Sequence, residues 1–406
     1  MTDAVSEQLK EFEQADQLPK LLYIGDIPLR DDASGGSIVL WRHKQRLKSF
    51  VIEEQTNPLW SNSFGAFCAG YLRRCRLSRL ELVIRPWLTS ITHRVPPGRA
   101  QNIRESHAAI LTVAHGSRWL EAMAVSAATG LPLVSIFHDW YPDASGCPHG
   151  WTAVWDYWFR LLYRRSSLAF TVSEGMGREL GWHPNAHVLP PIPDQPLPEL
   201  AAAAETGMGN PEVQLYYAGF GGGVYAPMLE SLIKAVQKDQ RFRLRISGSE
   251  TGALAELHQN ERIEVLGFLN DDTWQAAFNE ADYLLVVLPF ARRNQRHLRT
   301  HFPSKLVEYA NRKRPIVIWG PRSSSAVTWA CGVGNALVCT SPKAEDLLAT
   351  IILASEKSAW RRKRSGFEVK PITQTRFDPK TIHQTFESEL ENLLCHQRRE
   401  AYKPSS

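Results

Sequence analysis

With 406 residues, 43% of them hydrophobic and 22% charged, the chain has the make-up of a folded protein too long for one core, and two domains of ordinary size are the natural division. A formal net charge of +5 suits an anionic substrate or a membrane surface and does not single out nucleic acid. No apolar run approaches bilayer-spanning length, and Asp3, Glu7, Lys10, Glu11 and Glu13 argue against a signal peptide, so a cytoplasmic protein, or one attached to a membrane only at its surface, is expected.

Apolar runs of strand length alternate with helical stretches from end to end. Leu21 to Ile24 leads through Gly25 and a loop containing Gly35 and Gly36 into a helix reaching Leu47. Further strands are expected at 80–84, 108–114, 131–137 and 169–172, with a helix over 119–129. Five prolines between 190 and 198, then an Ala/Gly-rich stretch to Pro211, read as a linker. A second series of strands follows at 214–218, 243–247, 263–266, 283–288, 315–319 and 336–339, again with helices between them. The tail has Ile382, Phe386, Leu390, Leu393 and Leu394 at helical period. Such βα alternation implies parallel sheets covered by helices. The expected fold is α/β, with two doubly wound, Rossmann-like domains facing across a cleft. They would span residues 1–195 and 213–378, joined by a linker at 196–212. Residues 379–406 would form a helix and tail packing back on the first domain.

The cysteines at 68, 75, 147, 331, 339 and 395 show no CxxC or His/Cys metal spacing, so reduced thiols are expected. The most informative segment is His301-Phe302-Pro303-Ser304-Lys305-Leu306-Val307-Glu308-Tyr309, followed by Arg314-Pro315-Ile316-Val317-Ile318. It reads as a loop, a helix begun by Pro303, and a buried strand. Amides around Ser304 and Lys305 would offer an anion site. Glu308, one turn on and on the same face, lies at the right spacing for a ribose diol. The alternative is an ordinary capped helix with one surface Glu, and a Glu308 buried beneath packing would overturn the enzymatic reading. Gly219, Gly221, Gly222 and Gly223 follow a strand and precede a helix. The G-x-G-x-x-G pattern fails at Val224, and no acidic residue closes the next strand before Gly248, so a nicotinamide cofactor is not expected. Glycines that let backbone approach a phosphate remain a reasonable reading.

Taken in order, these segments resemble GT-B glycosyltransferases, nearest to glycosyltransferase family 4, over nearly the whole chain. Gly35-Gly36-Ser37 resembles the family's acceptor loop. Ser135-Ile136-Phe137-His138-Asp139-Trp140 resembles its strand ending in a catalytic-site histidine, and Ala169 to Met176 the strand and helix start before the linker. Val265-Leu266-Gly267-Phe268-Leu269 resembles the loop holding the nucleotide base, and Pro303 to Tyr309 the donor ribose and phosphate segment. The resemblance implies transfer of a sugar from a nucleoside-diphosphate sugar to a glycan or lipid-linked acceptor hydroxyl, with retention of configuration. The first domain would then be the acceptor side and the second the nucleotide-sugar side.

This chain departs from the family in two places. The first of the family's two glutamates, spaced eight apart, falls at Thr300, and the Arg and Lys that follow the second domain's first strand are missing from Gly219 to Pro227. Phosphate charge would then fall to backbone amides, Lys305 and the basic run Arg292, Arg293, Arg296, His297, Arg299 and His301, of which Arg299 is the first candidate. The alternative for that run is a solvated loop.

The expected site is therefore His138 as the catalytic residue. Glu308, Lys305, Ser304, Pro303, Gly221, Gly222, Gly248, Phe268, Leu269 and Arg299 would take the donor, and Gly35, Gly36, Asp139 and Trp140 the acceptor, with simple packing the alternative for Trp140. His115, ending the preceding strand, could line the same cleft, the alternative being an ordinary strand-end residue. No Asp-x-Asp occurs, so neither a metal nor a cofactor is expected, the nucleotide sugar being a substrate. Basic and aromatic residues mixed over 71–87 and 151–165 suit a peripheral membrane contact or, equally, core helices with basic edges. The competing readings are a catalytically silent partner or scaffold protein of the same fold, and a GT-B enzyme that hydrolyses or epimerises the nucleotide sugar alone.

Overall fold

The computed structural model describes residues 18–30, 35–55, 95–144, 152–193, 212–248, 261–310, 314–333, 336–365 and 377–401. The expected strand at 80–84, the basic stretch 71–87, most of the Pro-rich linker, and Cys68, Cys75 and Cys147 lie outside them. The chain divides into two compact units, one of residues 1–189 with 383–406 and one of residues 190–382.

The first unit runs β1 (Lys20–Tyr23), α1 (Gly35–Arg46), β2 (Val51–Glu54), α2 (Pro97–Ser106), β3 (Ala109–Val113), α3 (Arg118–Thr129) and β4 (Leu133–Phe137). It continues through α4 (Tyr141–Ala144), α5 (Thr152–Arg165), β5 (Leu168–Thr171), α6 (Glu174–Leu180) and β6 (Ala186–Val188). Its strands pair in parallel in the order β2-β1-β3-β4-β5-β6. Every residue of β3 and β4 is buried, as a parallel sheet covered on both faces requires. The core is aromatic: Phe137 meets Phe159 edge-on at 5.0 Å and Tyr163 at 5.5 Å, while Trp119 lies 6.0 Å from Trp155. These residues put the buried face of α5 inside the unit. Trp155, Trp158 and Phe159 are buried and Arg160 pairs with Asp156, the arrangement that the core-helix reading of 151–165 expects.

The second unit runs β7 (Val213–Ala218), α7 (Ala226–Lys238), β8 (Phe242–Ser247), β9 (Ile263–Gly267), α8 (Asp271–Glu280), β10 (Tyr283–Val287) and a 3-10 turn (Arg292–Asn294). Then come α9 (Gln295–Thr300), α10 (Ser304–Ala310), β11 (Ile316–Trp319), α11 (Ser325–Val333), β12 (Leu337–Cys339), α12 (Ala344–Ser365) and α13 (Pro379–Ala401). Its order, β12-β11-β10-β7-β8-β9, is the doubly wound arrangement whose direction of winding reverses between β7 and β10. Leu229, Leu232, Ile233 and Val236 of α7 and Leu347, Leu348 and Ile351 of α12 are buried with the side chains of β7, β8 and β10. Burying each such side chain favours the fold by about 1.5–3 kcal/mol.

From His383 onward, α13 belongs to the first unit. Glu387 accepts the backbone N–H groups of Lys48 and Ser49, each at 2.7 Å, and Phe386 packs 5.2 Å from Phe170. Among the described residues no helix is long and apolar enough to cross a membrane.

Candidate functional site

In open parallel sheets the loops at the carboxyl ends of the strands form the binding crevice, and it lies where the winding reverses. In the second unit those loops are laced together by backbone. The Gly219 N–H donates to Ser247 O at 2.9 Å, and the Gly248 N–H donates to Gly267 O at 2.8 Å. Gly248 sits at φ +122°, and a Cβ there would lie 2.1 Å from Gly219 O, so only glycine lets the loops after β7 and β8 approach this closely. Gly221 and Gly222 are buried, while Phe220 is half exposed. Phe268, the residue after β9, is 86% exposed beside half-buried Leu269.

The segment after β10 joins the same edge. Tyr309 of α10 accepts the Ala218 N–H at 2.8 Å through its hydroxyl, which pins α10 to the end of β7. Burial holds this phenol neutral by pushing its pKa up. Pro303 immediately precedes the helix, and Ser304 and Lys305 are half-buried, with the Lys305 ammonium 5.1 Å from the Trp274 ring. Arg299 is exposed, and His297 and His301 stack at 4.8 Å. Thr300 is fully buried and turns its hydroxyl back onto Arg296 O and His297 O, so this position presents no group to a ligand.

Glu308 departs from expectation. It is 8% exposed, not the open surface carboxylate that its spacing from Ser304 suggested. The next residue, Tyr309, is drawn under β7, and Leu306 and Val307 are core, so the last turn of α10 is largely enclosed.

The helix starts at the two strand-order reversals differ. In the first unit, Asp26, three residues past β1, accepts the backbone N–H groups of Ser117 and, at 2.8 Å, of Arg118. Its carboxylate thus occupies the N-terminus of α3, and Gly116 is needed there because a Cβ would lie 2.0 Å from Asp26 Oδ2. In the second unit, α7 follows the glycine loop, and its N-cap residue, Tyr225, makes no side-chain capping bond. The Met228 and Leu229 amides both turn back to Tyr225 O, and the Tyr225 N–H donates to Gly222 O at 3.3 Å.

The first unit's expected residues are placed as follows. His138 and Asp139 follow β4 and are half-buried. Gly35 and Gly36 are the first two residues of α1 rather than part of a loop, and Ser37 ties that helix start to Pro28 O. His115 is exposed, 5.1 Å from Tyr141. Ser173 caps α6 by accepting the Met176 N–H at 3.0 Å. Trp140 is a correction. At 1% exposure its indole donates to Asp156 at 2.8 Å, packs on Phe159 and is covered by Arg160, so it presents no face to an acceptor.

Sequence reasoning missed Asp26, Tyr309 and a buried pair, His43 and His383. Both histidines lie on apolar helix faces, His43 after Val39 and Leu40, and His383 before Phe386 and Leu390. That periodicity was the available signal. A groove of about 360 Å³ lies elsewhere in the second unit, among residues near the starts of β7, β8 and β9. Its charges are spent on one another, Arg262 and Arg243 on Glu212, and Arg245 on Glu264 and Glu280, so we assign it no ligand.

Two doubly wound units on one chain define the GT-B fold of glycosyltransferases. Among solved structures, the chain is similar to HepE from Anabaena in complex with UDP, at 17% identity and TM-score 0.58, over 92% of this chain and 100% of that one. HepE is also seen with UDP-glucose. Sucrose-phosphate synthase from Thermosynechococcus elongatus is similar at 12% identity and TM-score 0.53, over 95% and 98% of the two chains. A glycosyltransferase from Rickettsia africae is similar at 12% identity and TM-score 0.50, over 96% and 98%. No family model and no curated sequence matches the chain.

Proposed function

We propose that the protein transfers a sugar from a nucleoside-diphosphate donor, with a uridine diphosphate sugar as the first to test, to a hydroxyl of a glycan or lipid-linked saccharide, retaining the anomeric configuration. The observation that carries this is the contrast between the two helix starts: the first unit's is filled by Asp26, while the second unit's opens from a glycine loop without a side-chain cap. The diphosphate lies against that loop, with Lys305 and Arg299 meeting its charge as the leaving group departs. Phe268 offers its exposed ring to the base, and Glu308 takes the ribose through the small part of it left open. His138 orients the reacting hydroxyls from the first unit, with Asp139 on the acceptor side. The UDP and UDP-glucose held by HepE support the donor class.

This reading leans on the glycine loop more than on Glu308, because enclosure of that carboxylate weakens its case. The chain supplies no Asp-x-Asp pair to hold a divalent ion, so catalysis runs on these groups without a metal or cofactor. The enzyme works in the cytoplasm, and its net charge of +5 suits acceptors presented at an anionic membrane surface. Calorimetric titration of UDP, followed by product analysis with UDP-glucose with and without saccharide acceptors, tests the reading. UDP binding with acceptor-dependent turnover supports it, and sugar released without acceptor would mark a hydrolase. Thr300, with no carboxylate and no free face, favours a second reading, a nucleotide-binding protein that partners another transferase. Binding of UDP with no turnover on any acceptor would select it.

A further inference from the structure

Gly221, the third residue after β7, is buried, and its N–H donates to no acceptor among the described residues. An enclosed main-chain N–H left this way is uncommon and points to a partner that the chain itself does not supply. Its direction is set from below. Tyr217 of β7 is 5% exposed in the core shared with α7, and its hydroxyl donates to Phe220 O at 3.1 Å. Burial, with Tyr225 nearby, pushes the phenol pKa well up, so the hydroxyl keeps its proton and stays a donor. The peptide unit joining Phe220 to Gly221 is planar and trans, and in such a unit C=O and N–H point in opposite directions. With the Phe220 carbonyl drawn onto Tyr217, the Gly221 N–H faces away from that core. Gly219 makes the contact possible, because a Cβ there would lie 2.9 Å from the Tyr217 hydroxyl oxygen.

The first unit carries the same brace with the donor left out. Tyr23, the last residue of β1, donates to Ile27 O at 2.7 Å, and a Cβ on Gly25 would collide with its hydroxyl. The peptide held this way leads into Pro28, which has no N–H to offer. A tyrosine two residues before a glycine thus braces the loop after the first strand of each unit. Only in the second unit does the braced peptide present a donor.

We propose that Tyr217 is a positioning residue for phosphate: its hydroxyl fixes the Phe220 peptide so that the Gly221 N–H donates to a phosphate oxygen of the bound ligand. That this phosphate belongs to a nucleotide rests on the transferase reading; the brace and the direction of the N–H do not. A donor held in place beforehand gives up no freedom on binding, so removing the hydroxyl costs affinity although Tyr217 touches no ligand.

Tyr217→Phe removes the hydroxyl and keeps the packed ring. The probes are uridine, UDP and inorganic pyrophosphate, titrated into the full chain and followed through its amide signals. In the wild type, UDP and pyrophosphate should each move the Gly221 amide proton downfield, as a new bond to a charged acceptor does. In Tyr217→Phe both should bind about tenfold more weakly, the worth of a hydrogen bond to a charged group, with uridine binding unchanged. Tyr23→Phe should leave all three as in the wild type. Equal UDP and pyrophosphate affinity in a folded Tyr217→Phe variant, or a loss shared by uridine, would overturn the proposal. Should that variant not fold, the wild-type Gly221 signal decides: a downfield shift with pyrophosphate supports the donor, and an unmoved signal overturns it. Pyrophosphate that shifts Gly221 without any uridine binding would sink the nucleotide reading and keep the brace. Uridine that binds while neither phosphate moves Gly221 would do the reverse.

Discussion

The carboxyl ends of the two sheets are built by opposite means. In the second unit the loops after β7, β8 and β9 are joined through main-chain bonds at Gly219, Gly248 and Gly267, and the helix start at the reversal follows a glycine loop with no side-chain cap. In the first unit the same place is held by a side chain, with Asp26 closing α3. A backbone-lined edge can offer main-chain N–H groups to a phosphate. A carboxylate already seated on a helix start repels one. On the proposed reading, this difference is why the nucleotide would lie on the second unit.

The contrast is broken most severely at Gly248. Its replacement by Ala forces a Cβ into Gly219 O at a φ that L residues avoid, and about 3 kcal/mol of stability should be lost. Thermal melting checks this, and an unchanged second-unit transition would show that the loops are not laced as described. Glu308→Gln is next, with UDP affinity expected to fall by about 1.5–3 kcal/mol because a charge-assisted bond is lost. Isothermal calorimetry measures it, and an equal affinity would mean that Glu308 is purely a packing residue.

Acid sharpens the comparison from the other side. His43, His107 and His383 all have pKa values lowered mainly by burial, so the unfolded chain binds protons that the folded one refuses. Their contribution is present above the unfolded value of about 6.5 and is lost as pH falls below it. The first unit should therefore melt at progressively lower temperature between pH 7 and pH 5, whereas the second unit's transition should move less. Asp26→Asn should cost the first unit about 1 kcal/mol through the weakened cap and leave UDP affinity as it was. The smallest effect is expected at exposed Arg299, where Ala should weaken UDP about fivefold, the worth of an exposed charge, against no change for Arg104→Ala on α2.

Much of the fold was legible because the strands at both sheet centres are short, mostly apolar runs set off by helical periods. The edges were not. Val51-Ile52-Glu53-Glu54 buries one residue of four, and Ala186-His187-Val188 has none buried, so β2 and β6 carry little periodic signal. The glycines after β7 and β8 signalled close backbone approach, which the contact of Gly248 with Gly219 O shows. Burial decides what the sequence left open at Trp140, for which an acceptor face and simple packing both stood, and at Glu308, whose enclosure depends on how Tyr309 is drawn under β7. Asp26 escaped notice because its partners lie some ninety residues away, at the start of α3.

The most direct measurement is a nitrogen-labelled amide spectrum of the full chain titrated with UDP. The account predicts saturable shifts at Gly219, Gly221, Gly222, Gly223 and Ala226, with Ser117 and Arg118 unmoved. Shifts centred on Ser117 and Arg118, or none at the glycine loop under saturating UDP, would contradict it.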